Sequence, residues 1–279
     1  MTIRIHALRT GAVRIKAAQL AREPFSTLRV LTSRKWTGYL PIYAWLIEHP
    51  EGPILVDTGE TSRASTAGHF PKWHPYYRLA ADFQVGAGDE IGPLLAQKGI
   101  RPHEIRLIIL THLHTDHAGG LHHFPGVPVW VSGTEWAHAQ GVGGRLRGYL
   151  SHRWPAGLTP RLIAFPPAAY GPFAGAVPVT EAGDVVIVPT PGHTPGHVSV
   201  IARIGDVRYF MAGDASYTEQ TLLRRIPDGV TFSPRVAVQS LGRILAYAKT
   251  AATVYLPTHD PEGPDRLAHN RVLAVSDFV

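Results

Sequence analysis

The 279-residue sequence contains no cysteine. This absence excludes disulfide bonds, thiolate metal ligands and a cysteine nucleophile. Charged residues make up only 17% of the chain, and no apolar run reaches the roughly 18 residues that a membrane helix needs. The first residues, "MTIRIHALRTGAVRIKAAQL", alternate charged and apolar positions and lack the continuous apolar core of a signal peptide. We therefore expect a cytoplasmic protein with no membrane partner, which begins with a strand.

A second absence is that of a basic tract, although the net charge is +6 and the isoelectric point is about 9.7. Basic proteins often bind nucleic acids or anionic substrates. Lysine and arginine are scattered here, and the densest pairs, Arg145/Arg147 and Arg224/Arg225, do not extend into a longer run. We interpret the charge as a solvated basic surface and expect no nucleic-acid partner.

The length and the 44% of hydrophobic residues allow a substantial core, and we predict a single domain over residues 1–279. Two stretches stand apart from the regular patterns. One is an aromatic loop near 60–85, and the other is a Gly-, Pro- and Arg-rich insertion near 141–176. A loop as long as the 60–85 stretch in a compact domain is usually functional or disordered, and its aromatic content favours function. Its aromatic residues are Phe70, Trp73, Tyr76, Tyr77 and Phe83.

Outside these stretches, strand and helix patterns alternate. The first third is typical of β-structure, with a hairpin in "PIYAWLIEHPEGPILVDTG". Ser233-Pro234 is a typical helix start, since serine caps the helix and proline fits its first turn. "PILVDTG" and "RYFMAGD" are both apolar strands that end in an Asp/Gly turn. Two such halves suggest two mixed sheets packed face to face with helices outside.

The segment "THLHTDHAGG", residues 111–120, carries the strongest chemical signal. Positions i and i+2 of an extended segment point to the same side, so His112 and His114 can bind one metal ion together. Asp116 and His117 lie where the chain turns from strand to helix and can reach a second metal. Core packing does not require three histidines and an aspartate within six positions.

A catalytic metal normally has three protein ligands and an open position, so further ligands should follow other strands. Three candidates do. His193 follows "VVIVPT", Asp214 follows "RYFMAG", and His259 follows "TVYLPT". Each follows an apolar strand at a tight turn, and together they form a coherent set.

This set, His-x-His-x-Asp-His followed by Gly-His, Asp and His in this order, resembles the signature of the metallo-β-lactamase superfamily. The resemblance covers nearly the whole chain, from "LVDTG" to "PTHD". It implies an αββα sandwich, an α/β fold of two mixed β-sheets with helices on the outer faces and metals at one edge. It further implies two metal sites with Asp214 as the bridge, one held by His112, His114 and His193, the other by Asp116, His117 and His259. His197 and Asp57 are then supporting residues rather than ligands.

The stretch "GDASYTEQTL" indicates a branch of that superfamily. The best-known antibiotic-hydrolysing branch has a cysteine where this chain has Asp214. Tyr217, three residues beyond Asp214, resembles the Asp-x-x-Tyr of the N-acyl-homoserine lactone lactonases. That resemblance implies that the Tyr217 hydroxyl meets the lactone carbonyl. The alternative is an ordinary half-buried tyrosine with a satisfied hydroxyl.

The resemblance implies a metal-dependent hydrolase with two divalent metal ions. A metal-bridging hydroxide would attack the ester carbonyl, the metals and Tyr217 would stabilise the oxyanion, and Asp116 would carry the proton to the leaving oxygen. The all-nitrogen-and-oxygen ligand set does not name the metal. Zn(II) is the default, and Fe, Mn, Co and Ni accept the same ligands.

The resemblance implies hydrolysis of small-molecule lactones. The substrates expected first are the N-acyl-homoserine lactones of quorum quenching. The alternatives are a lactonase acting on a cyclic anion such as a pyridoxolactone, a glutathione thioester hydrolase and a nucleic-acid phosphodiesterase. The thioester enzymes carry a C-terminal helical region, which we do not expect here because only about twenty residues follow His259. Two interpretations of the aromatic loop stay open. It can form a wall for an acyl chain, or it can staple the loop or a homodimer interface.

Overall fold

The structure is a computed structural model that describes residues 3–274, so residues 1–2 and 275–279 of the predicted domain lie outside the described residues. Within this range the strands are β1 (Arg4–Ile15), β2 (Leu40–Glu48), β3 (Ile54–Val56), β4 (Ala81–Gln84), β5 (Leu107–Ile109), β6 (Val129–Ser132), β7 (Arg161–Ile163), β8 (Val177–Pro178), β9 (Val185–Pro189), β10 (Val198–Ile204), β11 (Val207–Gly213) and β12 (Thr253–Pro257). The α-helices are α1 (Ser26–Thr32), α2 (Pro75–Leu79), α3 (Ile91–Gln97), α4 (Thr115–Ala118), α5 (Gly133–Ala139), α6 (Gly141–Leu146), α7 (Glu219–Leu223), α8 (Pro234–Ala248) and α9 (Gly263–Ala268). No helix among these is long and apolar enough to cross a bilayer.

The strands form two mixed sheets. The larger has the order β4-β1-β2-β3-β5-β6-β7, and the smaller has the order β12-β11-β10-β9-β8. The neighbours along β3-β5-β6-β7 are parallel, and so are β11 and β12. All other neighbouring strands are antiparallel. The predicted hairpin is β2 and β3. The two similar Asp/Gly strands are β3 and β11, one in each sheet, as the pattern suggested.

The two sheets pack face to face, and helices cover their outer sides. Trp45 and Ile47 of β2 meet Val200 of β10 and Met211 of β11 in the apolar layer between the sheets. Ile91 and Leu95 of α3 cover the outer side of the larger sheet. On the smaller sheet, the apolar stripe of α8 does the same, with buried Leu241, Ile244 and Leu245. The predicted αββα sandwich is confirmed.

Three segments differ from the sequence prediction. Helix α1 lies within the first third, which the pattern predicted as β-structure throughout. The 60–85 stretch contains α2 and ends in β4, which pairs with β1 at the sheet edge. In β4, Ala81 and Phe83 are buried while Gln84 is exposed, and such an alternation over four residues is too short to recognise from sequence. The 141–176 stretch includes α6 and supplies β7, so it extends the larger sheet.

Candidate metal centre

Four loops bring the predicted ligands together. His112 and His114 follow β5, and Asp116 and His117 lie in the single turn of α4. The remaining candidates are placed after three strands of the smaller sheet: His193 after β9, Asp214 after β11 and His259 after β12. All except His114 and Asp116, which are partly exposed, are buried.

The first predicted triad is compact. His114 Nδ1 lies 3.0 Å from His112 Nε2 and 3.1 Å from His193 Nε2. Around a tetrahedral metal with metal–nitrogen bonds of 2.0–2.1 Å, donor nitrogens are separated by about 3.3 Å. The three imidazoles therefore converge at nearly the spacing that one metal ion requires.

The second triad comprises Asp116, His117 and His259, whose ligand atoms lie within 4.8 Å of one another. Asp116 approaches the two rings with different oxygens. Its Oδ1 is 3.9 Å from His117 Nε2, and its Oδ2 is 3.5 Å from His259 Nε2. These separations leave room for an ion between the donors.

Asp214 lies between the two triads. Its Oδ1 is 3.4 Å from His259 Nε2 and 3.5 Å from His117 Nε2, while its Oδ2 is 3.6 Å from His193 Nε2. One carboxylate oxygen thus faces the second triad and the other faces the first. This is the arrangement that a bridging carboxylate needs.

Unpartnered buried atoms show that the donors fit a cation. His117 Nε2 and Asp214 Oδ1 are both buried and have no hydrogen-bond partner among the described residues. Their separation of 3.5 Å exceeds an ordinary N–H···O hydrogen bond. A buried polar atom without a partner costs about 1–3 kcal/mol, and a divalent ion between these atoms would remove that cost. The donor set of imidazoles and carboxylates suits Zn(II) and the neighbouring first-row metals.

The other ring nitrogen of three of these histidines is held by an oxygen. Asp57 Oδ2 is 2.8 Å from His117 Nδ1, and Asp228 Oδ2 is 2.8 Å from His193 Nδ1. His259 Nδ1 is 2.9 Å from the carbonyl oxygen of Pro41. Such contacts fix the tautomer and direct Nε2 toward a metal.

The supporting role of Asp57 was predicted from the sequence, whereas that of Asp228 was not. Asp57 was predicted as a supporting residue from "VDTG", and its carboxylate also accepts hydrogen bonds from the Thr111 backbone N–H and hydroxyl. Asp228 was missed. It lies in a loop between α7 and α8, and no local pattern relates it to His193.

His197 uses both ring nitrogens within the protein. Its Nε2 accepts a hydrogen bond from the Asp214 backbone N–H at 3.0 Å, and its Nδ1 lies 2.9 Å from the Thr190 hydroxyl. Burial, aided by the charge of His193, lowers the pKa of His197 to about 3, so the ring is neutral. Gly213 makes this contact possible, because a Cβ there would lie 2.7 Å from His197 Nε2. His197 thus positions Asp214, in accord with its predicted supporting role.

The ionisation of the candidate ligands falls into two groups. Burial and the neighbouring rings lower the pKa of His112 and of His114 well below 6.5, which leaves both neutral and ready to bind a metal. Burial acts in the same direction on His117 and His193, but the adjacent carboxylates outweigh it. The pKa of His117 rises well above 6.5, and that of His193 rises to about 9. Metal binding must therefore displace protons from these rings.

Glu135 joins the two loops of the first triad, and no sequence motif pointed to it. It is fully buried on α5. Its Oε1 accepts hydrogen bonds from the Leu113 N–H at 3.1 Å and the Tyr149 hydroxyl at 2.9 Å, and its Oε2 accepts one from the Gly196 N–H at 3.1 Å. Leu113 lies between His112 and His114, so this carboxylate holds the loop that presents them.

Tyr217 lies beside the candidate ligands, with its ring centroid 5.3 Å from that of His259. Gln19 Nε2 donates hydrogen bonds to the hydroxyl oxygens of both Tyr217, at 2.8 Å, and Tyr76, at 2.9 Å. Because each phenol oxygen accepts from Gln19, each phenol hydrogen is left to bond elsewhere. Burial and nearby carboxylates raise the pKa of Tyr217 well above 10, so its hydroxyl stays protonated.

A cavity of about 340 Å³ opens above these groups. Asp116, Asp214 and Tyr217 line one end of it. The remaining lining is mostly apolar. It includes residues of β1, α1, β2, β4 and the aromatic stretch, namely Val13, Ile15, Val30, Leu31, Leu40, Tyr76, Tyr77 and Phe83. This volume lies within the usual range for small-molecule sites.

The aromatic stretch divides between the two roles considered for it. Phe70 stacks on Tyr77 and on Phe83, with ring centroids 4.6 Å and 5.0 Å apart, which ties the loop to the edge strand. Tyr76 and Tyr77 line the cavity. Trp73, by contrast, is 56% exposed. The segment therefore packs against the domain and also contributes to the cavity wall.

A buried glutamate near the centre yields a pH-dependent prediction. Burial raises the pKa of Glu60 from 4.5 to about 8, against hydrogen bonds from Thr115 and the Thr61 N–H. As pH rises from about 4.5 to about 8, the unfolded chain ionises Glu60 while the folded chain keeps it protonated, so stability falls across that window. For metal-free protein, we expect the melting temperature of Glu60→Gln to gain on the wild type between these pH values and then level off.

The melting temperatures are to be measured by circular dichroism at several pH values. Glu23→Gln, at an exposed glutamate, controls for the substitution itself. A Glu60→Gln difference that is the same at every pH would contradict the prediction.

Comparison with known proteins agrees with this geometry. The family model described as the metallo-beta-lactamase superfamily matches residues 37–259. An N-acyl homoserine lactonase of Bacillus thuringiensis is 30% identical over 233 residues, which cover 80% of this chain and 82% of that protein. The N-acyl homoserine lactonase AttM of Rhizobium radiobacter is 25% identical over 269 residues, which cover 93% of this chain and 94% of that protein.

Solved structures give the same result. A mutant of AiiA from B. thuringiensis, with N-decanoyl-L-homoserine bound at its active site, superposes with a TM-score of 0.75 at 25% identity over 100% of both chains. An N-acyl homoserine lactone hydrolase, with the product N-hexanoyl-L-homoserine bound at its catalytic metal centre, superposes with the same score, identity and coverage.

Proposed function

The chain belongs to the metallo-beta-lactamase superfamily, and from that premise we propose that it is a two-metal hydrolase that opens the ester ring of N-acyl homoserine lactones. The family and the lactonase relatives make it a metal-dependent hydrolase. The number of metals, the reaction steps and the substrate are the proposal. Our assignment of ligands is the predicted one, with His112, His114 and His193 on one ion, Asp116, His117 and His259 on the other, and Asp214 on both.

One observation carries the two-metal proposal. The oxygens of Asp214 face different triads, with Oδ1 toward His117 and His259 and Oδ2 toward His193. A single ion in either triad would leave one of these oxygens without a cation. The unpartnered Asp214 Oδ1 and His117 Nε2 support an ion in the second triad, and the close spacing of the three histidines supports one in the first.

The substrate class is supported by the cavity and by the relatives. The cavity is polar at the candidate ligands, and the rest of its wall is mostly apolar. A lactone ring at the polar end would leave an acyl chain against β1 and α1. Two of the similar proteins are named as N-acyl homoserine lactonases, and two similar structures hold N-acyl-homoserine products.

The chemistry divides between metals and side chains. Two divalent ions, when bound, lower the pKa of a water at the site and attract the negative charge that develops on the carbonyl oxygen. The Tyr217 hydroxyl, whose hydrogen Gln19 leaves free, donates to that oxygen. The Asp116 carboxylate accepts the proton of the attacking water and returns it to the ring oxygen as the ester bond breaks. Asp57 and Asp228 hold His117 and His193 in their metal-facing tautomers.

Asp116→Asn is expected to lower kcat by about 10²-fold or more, because an amide cannot accept and return this proton. Asp116 lines the cavity, and its oxygens lie 3.9 Å from His117 Nε2 and 3.5 Å from His259 Nε2. The measurement is kcat together with zinc content. Zinc content close to two ions per chain and a reduced kcat would support the proton role. An unchanged kcat would contradict it.

Gln19→Met is expected to lower kcat by about 10-fold with a smaller change in KM, since an unanchored Tyr217 hydroxyl stabilises the transition state less well. Gln19 is buried, so the similarly sized methionine limits the packing change. Gln19→Glu is the informative companion. A carboxylate can only accept, so it takes both phenol hydrogens and competes with the substrate for them. A protonated carboxyl can donate to the Tyr217 oxygen and leave that phenol hydrogen free, so the activity of Gln19→Glu should recover toward lower pH. A pH profile parallel to that of the wild type would argue against this role.

The proposal is tested by acid release from a panel of N-acyl homoserine lactones of different chain length, with protein reconstituted with zinc. A glutathione thioester, a pyridoxolactone and a phosphodiester serve as comparison substrates. We expect turnover of the homoserine lactones to exceed that of the others by at least about 10²-fold in kcat/KM. Preferential turnover of any comparison substrate would replace the proposed substrate with that one.

A further inference from the structure

A second group of metal-ligating side chains lies outside the centre described above. Glu90, at the start of α3, meets two adjacent histidines of the turn that follows α4. Its Oε2 is 2.6 Å from His123 Nε2 and 3.1 Å from His122 Nε2. The two imidazole rings lie side by side, with their centroids 4.1 Å apart. Two ring nitrogens and one carboxylate oxygen thus converge. The 2.6 Å contact of His123 is a hydrogen bond, and an ion would replace its proton and widen that separation.

The position of His122 favours a cation beside Glu90. Its Nδ1 is 3.1 Å from the carbonyl oxygen of Gly119, and only a protonated Nδ1 makes that a hydrogen bond. In the neutral ring, Nε2 then carries a lone pair. That lone pair would face the carboxylate oxygen of Glu90 at 3.1 Å, and two acceptors repel each other. A cation between Nε2 and the carboxylate would remove this repulsion.

The carboxylate of Glu90 is held so that one oxygen remains for a ligand. Its Oε1 accepts hydrogen bonds from the backbone N–H of Ser62 at 2.8 Å, from the Ser62 hydroxyl and from the Thr61 hydroxyl. These donors help to lower the pKa of Glu90 to about 2, so the group is ionised. Within the described residues, its Oε2 meets the two histidines and no other polar group. A metal-binding carboxylate is typically held in this way by surrounding donors.

We propose that Glu90, His122 and His123 form a third divalent-cation site, separate from the two-metal centre. The donors are two imidazoles and one carboxylate oxygen, a set that suits zinc and the neighbouring late first-row ions rather than magnesium or calcium. His122 is 45% exposed in its side chain, so water can complete the coordination. Three protein ligands with an open position are sufficient for zinc.

Such an ion would join two segments. One is the loop at 59–62, to which Glu90 is hydrogen-bonded, and the other is the turn that carries His122 and His123. Glu90 is bonded to the loop at Thr61 and Ser62, and the histidines belong to the turn that follows Asp116 and His117. The same two segments are joined by a backbone hydrogen bond from Gly120 N–H to the carbonyl oxygen of Gly59. A cation across Glu90 and the histidines adds a second link, so its effect should be on stability rather than on the chemical step.

The test is a count of bound zinc by equilibrium dialysis, together with the melting temperature as free zinc rises. We expect the wild type to bind a third zinc ion per chain after the two-metal centre is filled, and its melting temperature to rise with that step. The His122→Gln variant should bind only two zinc ions per chain. His138→Gln is the matched control and should keep all three ions, since His138 is a partly exposed histidine whose Nδ1 likewise meets a backbone carbonyl oxygen.

A second variant keeps the result independent of the lactonase proposal. His112→Gln/His259→Gln removes one candidate ligand from each triad of the two-metal centre, yet it should still bind zinc in a manner that a further His122→Gln abolishes. A wild type that saturates at two ions, or a His122→Gln variant that keeps the third, would overturn the proposal and leave an imidazolium ion pair at Glu90. Absence of lactone hydrolysis would not affect either count.

Discussion

Asp214→Asn is expected to lower kcat/KM for lactone hydrolysis by about 10³-fold or more. Asparagine keeps the size of the side chain but removes the charge, and its NH₂ group cannot coordinate a metal. One of the two triads therefore loses its link to the other. Without the carboxylate, His117 and His259 also lose the negative charge that both approach within 3.5 Å. The loss of activity should be accompanied by loss of bound zinc.

The measurement combines kcat/KM with zinc content after gel filtration. Asp206→Asn, at the exposed turn between β10 and β11, is a matched control from the same hairpin and should behave as the wild type. An Asp214→Asn protein with full zinc content and wild-type activity would exclude a bridging role for this carboxylate.

Tyr217→Phe is expected to lower kcat by about 10²-fold with unchanged zinc content, because the transition state loses one hydrogen-bond donor. The phenol lies at the polar end of the cavity, and its hydrogen is free because its oxygen accepts from Gln19. Tyr217 is only 4% exposed, and phenylalanine has the same ring, so it fits with little rearrangement. The effect should therefore appear in kcat more than in the melting temperature.

Tyr209→Phe is the control for this substitution. It removes another largely buried hydroxyl, one that donates to Asn270 at 2.6 Å far from the cavity. We expect it to leave kcat unchanged. If Tyr217→Phe were as active as Tyr209→Phe, Tyr217 would be the ordinary satisfied tyrosine that the sequence left as the alternative.

The sequence predicted those parts of the protein in which chemistry follows local pattern. The ligands His112 to His117 are adjacent in the chain, and each remaining candidate follows an apolar strand, so order and spacing were sufficient to propose them. The two Asp/Gly turns of β3 and β11 suggested two sheets, and the family resemblance of the ligand motif implied the αββα sandwich. In both cases the informative residues lie within a few positions of a regular element.

What the sequence did not reveal depends on contacts between distant segments. Gln19 meets Tyr217 across 198 positions, and Asp228 meets His193 across 35. Glu135 looks like an ordinary polar residue in the first turn of α5, yet it joins two metal-binding loops. None of these residues has a neighbour in sequence that signals its partner. Only the folded chain brings these pairs together.

The most direct test of the account is the activity of metal-free protein as zinc is added in known equivalents, with an N-acyl homoserine lactone as substrate. The two-metal proposal predicts that activity rises until two equivalents are bound and then stays constant, because any third ion is held at Glu90, away from the cavity. Full activity at one equivalent would show that a single ion is sufficient. No activity at two equivalents would contradict the proposed lactone hydrolase.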